Sequence, residues 1–193
     1  QKQTGLTVTL IATTAPAYEN GKMYKLAEQA RAEGREIRPQ AAGRPTGVLH
    51  GLQSSFNAFV GYPTWRNELA NLDHDTLLAR LAEPATKAQI LSEQSIIKGG
   101  LMQDLPGLMG QVFPLGENPN YEPLPEESIA GIAKARGLDV IDVMYDMLVA
   151  NGGKELFYQP LGGYQGFSLD YQKKLLEHPN VLFGLSDGGA HCG

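Results

Sequence analysis

The sequence has little of what several classes of protein require. It contains one cysteine, Cys192, so it can form neither an internal disulfide nor a zinc cage built from cysteines. It has no run of about eighteen apolar residues, the length that a membrane-spanning helix needs. Its 16 basic residues are outnumbered by 21 acidic ones, and no basic cluster could track a phosphate backbone. We therefore expect no nucleic-acid partner and no membrane partner, and a reducing, cytoplasmic location.

The chain has enough apolar residues for a folded core but begins without methionine. Its apolar content of 42% and charged content of 19% are normal for a globular domain. Gln1-Lys2-Gln3 is followed by no signal-like apolar segment. These features predict one folded domain, residues 1–193, that is an excised piece of a longer protein.

Short apolar runs and helical spacings alternate at both ends of the chain. Runs at 6–12, 35–40, 155–159 and 181–185 predict four strands, and the first two flank a helix with Met23, Leu26, Ala27 and Ala30 inward. Further helices are predicted from Ser128 to Gly137, from Asp139 to Asn151 and from Ser168 to Leu176. Strands that alternate with helices favour a parallel sheet in an α/β fold.

Residues 41–127 interrupt this alternation with many prolines and aromatics. Asp75 is predicted to cap one short helix and Pro84 to open another. We interpret the segment as an insertion of short helices and loops that lies over the strand ends. Long insertions of this kind are either functional or only a packing lid, and the residues leave both alternatives open.

The last predicted strand leads directly into a chemically distinctive turn. Residues 184–191 read Gly-Leu-Ser-Asp-Gly-Gly-Ala-His, with Asp187 just beyond the strand. In α/β folds, catalytic groups collect at the carboxyl ends of strands. Asp187 is therefore a candidate metal ligand or proton-transfer group, although a turn former before two glycines is the plain alternative.

Residues 184–191 resemble the eighth-strand segment of the amidohydrolase superfamily, in particular the N-acyl-D-amino-acid deacylase (D-aminoacylase) type. Segments 37–47, 118–123 and 128–148 are similar to further parts of the same family. The resemblance implies a partial TIM-like (β/α)8 barrel, with the four strands as its fifth to eighth and with 41–127 as the insertion. It also implies zinc-assisted hydrolysis of the amide of an N-acyl-D-amino acid.

On this resemblance, Asp187 would be both a zinc ligand and the catalytic proton carrier, because zinc lowers the pKa of bound water. The His-x-His pair and the strand-tip histidines that relatives use are absent. Arg44 is the candidate for gripping the substrate carboxylate, and Tyr164 and His191 are further candidate substrate contacts. The structural alternatives are that Arg44 is only an exposed loop residue and that His191 is only a turn residue.

The other histidines are interpreted as structural. His50 and His74 are predicted to be loop or surface residues, and His178 is expected to contact the terminal carbonyls of a helix. Cys192 is interpreted as a bystander and not as a nucleophile.

Two alternative functions remain open. The first is a cyclic amidohydrolase of the dihydroorotase or hydantoinase kind. The second is a catalytically silent half-barrel that binds a partner or forms a homo-oligomer through open sheet edges. We expect the isolated chain to be inactive, because a catalytic zinc normally takes three protein ligands.

Overall fold

The computed structural model describes residues 5–11, 22–99, 105–164 and 166–184. Its regular elements are strands β1 (Val8–Ile11), β2 (Ile37–Ala42), β3 (Thr46–His50), β4 (Phe113–Pro114), β5 (Phe157–Gly162) and β6 (Leu182–Gly184), and helices α1 (Lys22–Ala32), α2 (His74–Leu81), α3 (Pro84–Ser92), α4 (Leu105–Leu108), α5 (Ile129–Arg136), α6 (Val140–Gly153) and α7 (Asp170–Leu176). A π-helical turn occupies Trp65–Leu69. None of the helices in these ranges is long and apolar enough to cross a membrane.

The chain forms two compact units. Unit 1 comprises residues 1–47 and 160–193, and unit 2 comprises residues 48–159. The chain passes from unit 1 to unit 2 within β3 and returns within β5. The fold is thus a mixed α/β architecture with helices and two small sheets.

Unit 1 contains a parallel sheet in the order β1-β2-β6. Val8 pairs with Ile37 at one end of the β1–β2 ladder, and Ala42 pairs with Gly184 at the end of the β2–β6 ladder. Because both ladders are parallel, the carboxyl ends of all three strands lie at the same edge of the sheet.

Helices α1 and α7 cover one and the same face of this sheet. Ala41 of β2 lies in a buried cluster with Tyr24 of α1 and Leu175 of α7. Side chains alternate between the two faces of a strand, so a single β2 residue that contacts both helices places them on one side. The predicted helix over α1 is confirmed, but its predicted inward face is partly wrong: Met23 and Leu26 are exposed, because Tyr24 takes the buried position.

Unit 2 holds the larger core. Phe59 is completely buried, and its ring packs edge-on against those of Tyr62 and Tyr145 at centroid distances of 5.2 and 5.4 Å. The helices α2, α3, α5 and α6 and the π-helical turn contribute most of the remaining buried residues, which include Leu69, Leu81, Ile90, Ile129, Ala133, Val143, Met144 and Leu148. The tight aromatic packing predicts that large-to-small changes here are costly.

Helix ends in unit 2 follow local sequence signals. Ser128 Oγ accepts from Gly131 N at the start of α5, and Gly137 ends that helix in the left-handed region, as predicted. Asp139 caps α6 as predicted by accepting from Ile141 N. The predicted cap of α2 was wrong by two residues, because Asp73 accepts from Thr76 N and Asp75 lies inside the first turn.

Strand pairing differs from the sequence-based expectation. The predicted strands at 6–12, 35–40 and 181–185 are found as β1, β2 and β6, but the predicted strand at 155–159 is found as β5 in a different sheet. That sheet has the order β3-β5-β4, and its β4–β5 ladder is antiparallel. Strands β3 and β4 fall within 41–127, where only helices and loops were predicted. Local sequence does not determine which strand a given strand pairs with.

Candidate functional site

The segments that follow β2 and β5 meet at one place in unit 1, beside Phe183 of β6. We call this place the strand-end cluster and define it as Gly43, Arg44, Pro45, Gly163, Tyr164, Gln172 and Phe183. A β-carbon built on Gly163 would lie 3.0 Å from the Cα of Pro45. A β-carbon built on Gly43 would lie 3.1 Å from two carbons of the Phe183 ring. Gly163 is therefore required by the close approach of the backbone at Pro45, and the Phe183 ring packs over Gly43.

Gln172 of α7 ties these segments together. Its side-chain NH2 donates to the backbone carbonyl of Ala42, at the carboxyl end of β2. Its Oε1 lies 2.9 Å from the position of a β-carbon on Gly163. Gln172 is almost completely buried, so the loss of its hydrogen bond would leave its own side-chain NH2 group without this partner. Gln172 thus holds the loop after β2 beside the loop after β5.

The loop after β5 has an unusual backbone. Gly163 and Gly166 have positive φ values of 81° and 62°, and Phe167 has a φ of 58°. A positive φ is uncommon for a bulky side chain and costs free energy that the surrounding structure must offset. The rings of Phe167 and Tyr164 pack edge to face with their centroids 6.3 Å apart. Backbone strain of this kind is concentrated in ligand-binding and catalytic loops.

Two of the predicted site residues, Arg44 and Tyr164, lie in the strand-end cluster. Arg44 is exposed, and Tyr164 is half-buried. The contact between Pro45 and Gly163 brings their two loops together, although residues 46–162 separate them in sequence. The other two predicted site residues, Asp187 and His191, lie outside the described ranges. Asp187 follows the carboxyl end of β6 closely in sequence.

Phe183 is a member of the cluster that sequence analysis did not single out. It is 77% exposed although it lies in β6 and is paired with Ala41 of β2. Its neighbour Leu182 is also partly exposed. The outer strand of the sheet therefore presents an apolar surface beside the exposed cation of Arg44.

His50 was predicted to be a loop or surface residue, and this prediction is wrong. It ends β3, is only 1% exposed, and its Nε2 lies 2.8 Å from Oε1 of Gln159. Since the amide oxygen accepts, Nε2 carries the proton and Nδ1 is an acceptor, which has no hydrogen-bond partner among the described residues. Burial lowers the pKa of His50, and the hydrogen bond that His50 donates to Gln159 opposes this shift.

The remaining two described histidines make specific contacts. His74 is half-buried and begins α2, and its Nε2 donates to the carbonyl of Gly152 at 3.1 Å. The backbone N of His178 donates to the carbonyl of Leu175, so the predicted contact with terminal helix carbonyls is made by the backbone. The side-chain Nε2 of His178 lies 3.0 Å from a carboxylate oxygen of Glu28. Gly152 and Glu28 lie far in sequence from the histidines whose side chains they contact, which is why the local pattern did not reveal these contacts.

The described residues alone do not form a metal site. Within the ranges that the structure covers, no group of three His, Cys, Asp or Glu side chains could hold a metal ion. A zinc ion at the carboxyl ends of β2 and β6 would need Asp187 and further ligands from outside these ranges. The cluster itself supplies a cation, a tyrosine and apolar surface, which are groups that contact an organic anion.

Fold and cluster together define a mixed α/β protein with a candidate ligand site at the carboxyl ends of its strands. Comparisons of the chain with protein-family models, with curated proteins and with solved structures found no match.

Proposed function

We propose that this chain carries part of the active site of a zinc-dependent amidohydrolase that hydrolyses the amide bond of N-acyl-D-amino acids. In this proposal, the sheet of unit 1 is a segment of a (β/α)8 barrel. Asp187 binds zinc and carries the proton from attacking water to the leaving amine. Arg44 binds the substrate carboxylate, and Tyr164 and His191 contact the rest of the substrate.

The observation that carries the proposal is the meeting of the loops after β2 and β5 beside β6 in the strand-end cluster. Parallel strands with both covering helices on one face are what a segment of a (β/α)8 barrel requires, because the other face of a barrel strand points inward. Ligands of α/β proteins bind at the carboxyl ends of strands. Arg44 and Tyr164 are at this edge, and Asp187 is the first carboxylate after β6.

The chemistry of each residue suits its proposed role. Arg44 is exposed, and a guanidinium group can bind a carboxylate through two parallel hydrogen bonds. The Tyr164 hydroxyl is a neutral donor that suits an amide or acyl oxygen. When bound, zinc would polarise the amide carbonyl and lower the pKa of water.

The test is hydrolysis of N-acetyl-D-leucine and N-acetyl-L-leucine by the zinc-loaded parent protein that contains this chain together with the further metal ligands, since the isolated chain is expected to be inactive. We expect hydrolysis of the D-enantiomer that is lost with a chelator and restored by zinc. Asp187→Asn should lower kcat/KM by about 10²- to 10⁴-fold, since it removes a general acid–base group. Arg44→Gln should raise KM by about 10- to 100-fold through the loss of one charge-assisted contact.

Arg31→Gln is the matched control, because Arg31 is also an exposed arginine but lies in the last turn of α1, away from the cluster. It should leave both kinetic constants unchanged. Retention of full activity by Asp187→Asn, or equal rates for the two enantiomers, would overturn the proposal.

A second candidate function is self-association through the sheet of unit 1. Residues 5–11 contain no charged residue, and Leu6, Ile11 and Phe183 are 67%, 73% and 77% exposed on the outer strands. Natural sheets usually protect such edges with charges or prolines. Sedimentation of the same preparations distinguishes the two candidates. A concentration-dependent oligomer that Phe183→Lys dissociates, without any hydrolysis, supports self-association alone.

A further inference from the structure

Helix α6 ends in a backbone conformation that glycine and asparagine favour. The regular helix stops at Ala150, and Asn151, Gly152 and Gly153 follow with positive φ values of 51°, 68° and 68°. Asn151 and Gly152 are both exposed. Asparagine followed by glycine is the dipeptide in which a side-chain amide is most open to attack by the next backbone nitrogen, because glycine has no side chain to hinder it.

Three contacts within unit 2 hold this end of α6. His74 Nε2 donates to the carbonyl of Gly152 at 3.1 Å, and the side-chain NH2 of Asn151 donates to a carboxylate oxygen of Glu155. Gly153 is buried, and a β-carbon on it would lie 2.7 Å from a methyl carbon of Leu52. The conformation around the Asn151–Gly152 bond is thus held by the contact of Asn151 with Glu155 and by that of Gly152 with His74.

We propose that Asn151 is a site of spontaneous deamidation that reacts only when the end of α6 opens, and that His74 controls how often it opens. In the reaction, the backbone nitrogen of Gly152 attacks Cγ of Asn151. A new C–N bond closes a succinimide ring, the C–N bond of the side-chain amide breaks, and ammonia leaves with the proton. Water then opens the ring to aspartate or isoaspartate, so no oxidant or cofactor is needed.

The folded conformation blocks the first step. Asn151 has a ψ of 35°. In this left-handed geometry, the nitrogen of Gly152 points away from the side-chain carboxamide. Ring closure requires a large rotation about the Cα–C bond of Asn151, which would move the carbonyl of Gly152 away from His74. The reaction rate therefore follows the population of the locally open state.

Deamidation would in turn weaken the contacts that protect the site. The product places a carboxylate where Asn151 now donates to Glu155, so an attractive contact becomes a repulsion between like charges. Isoaspartate also lengthens the backbone at a tightly packed turn beside Gly153. The modified chain should accordingly open more readily at the end of α6 than the unmodified chain.

The sequence provides a selective measurement. The tryptic peptide of residues 137–154 contains Asn151 as its only asparagine and contains no glutamine, so its deamidation can be assigned to one residue. We expect Asn151 in the folded chain to react about tenfold more slowly than in the same chain in urea, as local opening is a minor population. His74→Ala should give a rate between these two values, and His74→Gln, which keeps a donor, should restore part of the protection.

Two controls make the result decisive. Asn20–Gly21, in the tryptic peptide of residues 3–22, is a second Asn–Gly pair whose rate His74→Ala should not alter. His178→Ala removes a histidine from unit 1 and should leave the Asn151 rate unchanged. Circular dichroism of each variant establishes that it is folded. Equal Asn151 rates in buffer and in urea, or a folded His74→Ala chain with the wild-type rate, would refute the proposal.

Discussion

The two units of this protein differ in how they bury apolar surface. Unit 2 has a continuous core in which Phe59, Leu148 and many neighbours are almost completely buried. In the described part of unit 1, the buried cluster consists of Tyr24, Ala41 and Leu175 with a few partly buried neighbours. Burial of apolar surface is the main stabilising term in folding. Among the residues that the structure describes, unit 2 therefore contributes more of this stabilising burial, while unit 1 contains the proposed site.

This difference agrees with the chemistry proposed for unit 1. Groups that bind ligands must be accessible and are often found in the less stable parts of a fold. Arg44 and Phe183 are exposed beside a small cluster, whereas the titratable groups in the core of unit 2 are buried and engaged. Tyr145 illustrates this: it donates to the carbonyl of Leu81, and burial raises its pKa to about 12.

The largest loss of stability should come from shortening a buried side chain in the larger core, that of unit 2. Phe59→Ala removes a completely buried ring that packs against two others, and we expect a loss of about 3–5 kcal/mol in the free energy of unfolding. Leu175→Ala, in the small cluster of unit 1, should cost about 2 kcal/mol, the low end for such changes. Urea unfolding of both variants tests the contrast. Similar losses would show that the cores of the two units contribute equally to the free energy of unfolding.

An intermediate effect on stability is expected when acidification protonates His50, the buried histidine of unit 2. Because burial lowers the pKa of His50, the unfolded chain binds its proton more tightly than the folded chain. The stability from this group is complete above its ordinary value of about 6.5 and falls below it, by at most about 1.4 kcal/mol per pH unit. The protection factors for amide hydrogen exchange at β3 and β5, corrected for the intrinsic exchange rate at each pH, should therefore fall on acidification.

His50→Gln should remove most of that fall in protection, since glutamine does not titrate in this range. His178→Gln is the matched control in unit 1, where the histidine is partly exposed and contacts Glu28. An unchanged pH dependence in His50→Gln would assign the acid sensitivity to other groups.

The smallest loss of stability should come from removing a serine hydroxyl at the start of one helix in each unit. Ser128 Oγ accepts from Gly131 N at 3.0 Å and is buried, so Ser128→Ala should cost about 1 kcal/mol. Ser168 Oγ accepts from Asp170 N at 3.0 Å just before α7, in a more exposed setting. Ser168→Ala should cost less, because water can replace the lost acceptor. Thermal unfolding of the two variants measures the difference, and the reverse order would contradict the assignment of the stronger core to unit 2.

Sequence patterns predicted the positions of individual helices and strands better than they predicted which strands pair with each other. The strands β1, β2 and β6 and the helices α1, α3, α5 and α6 were all found near their predicted positions. Caps and glycine stops depend on residues a few positions apart, so local chemistry is sufficient to locate them. The placement of β5 in a second sheet was missed, because its neighbours β3 and β4 are short and lie in a segment rich in prolines and loops.

The candidate site was predictable only in part. Arg44 and Tyr164 were selected because each follows a predicted strand, and the structure brings their loops together through Pro45 and Gly163. Gln172 and Phe183 were not selected, because a glutamine in a helix and a phenylalanine in a strand carry no local signal of a site. The roles of Asp187 and His191 stay predictions, since both lie beyond the described ranges.

The sequence by itself determined where most helices and strands begin and end, because these boundaries arise from hydrogen bonds and packing within a few residues. Tertiary structure alone decided that His50 is buried against Gln159, 109 residues away, and that the loops after β2 and β5 meet at Gln172. Contacts over such separations depend on how the whole chain packs its apolar surface. No local pattern encodes them.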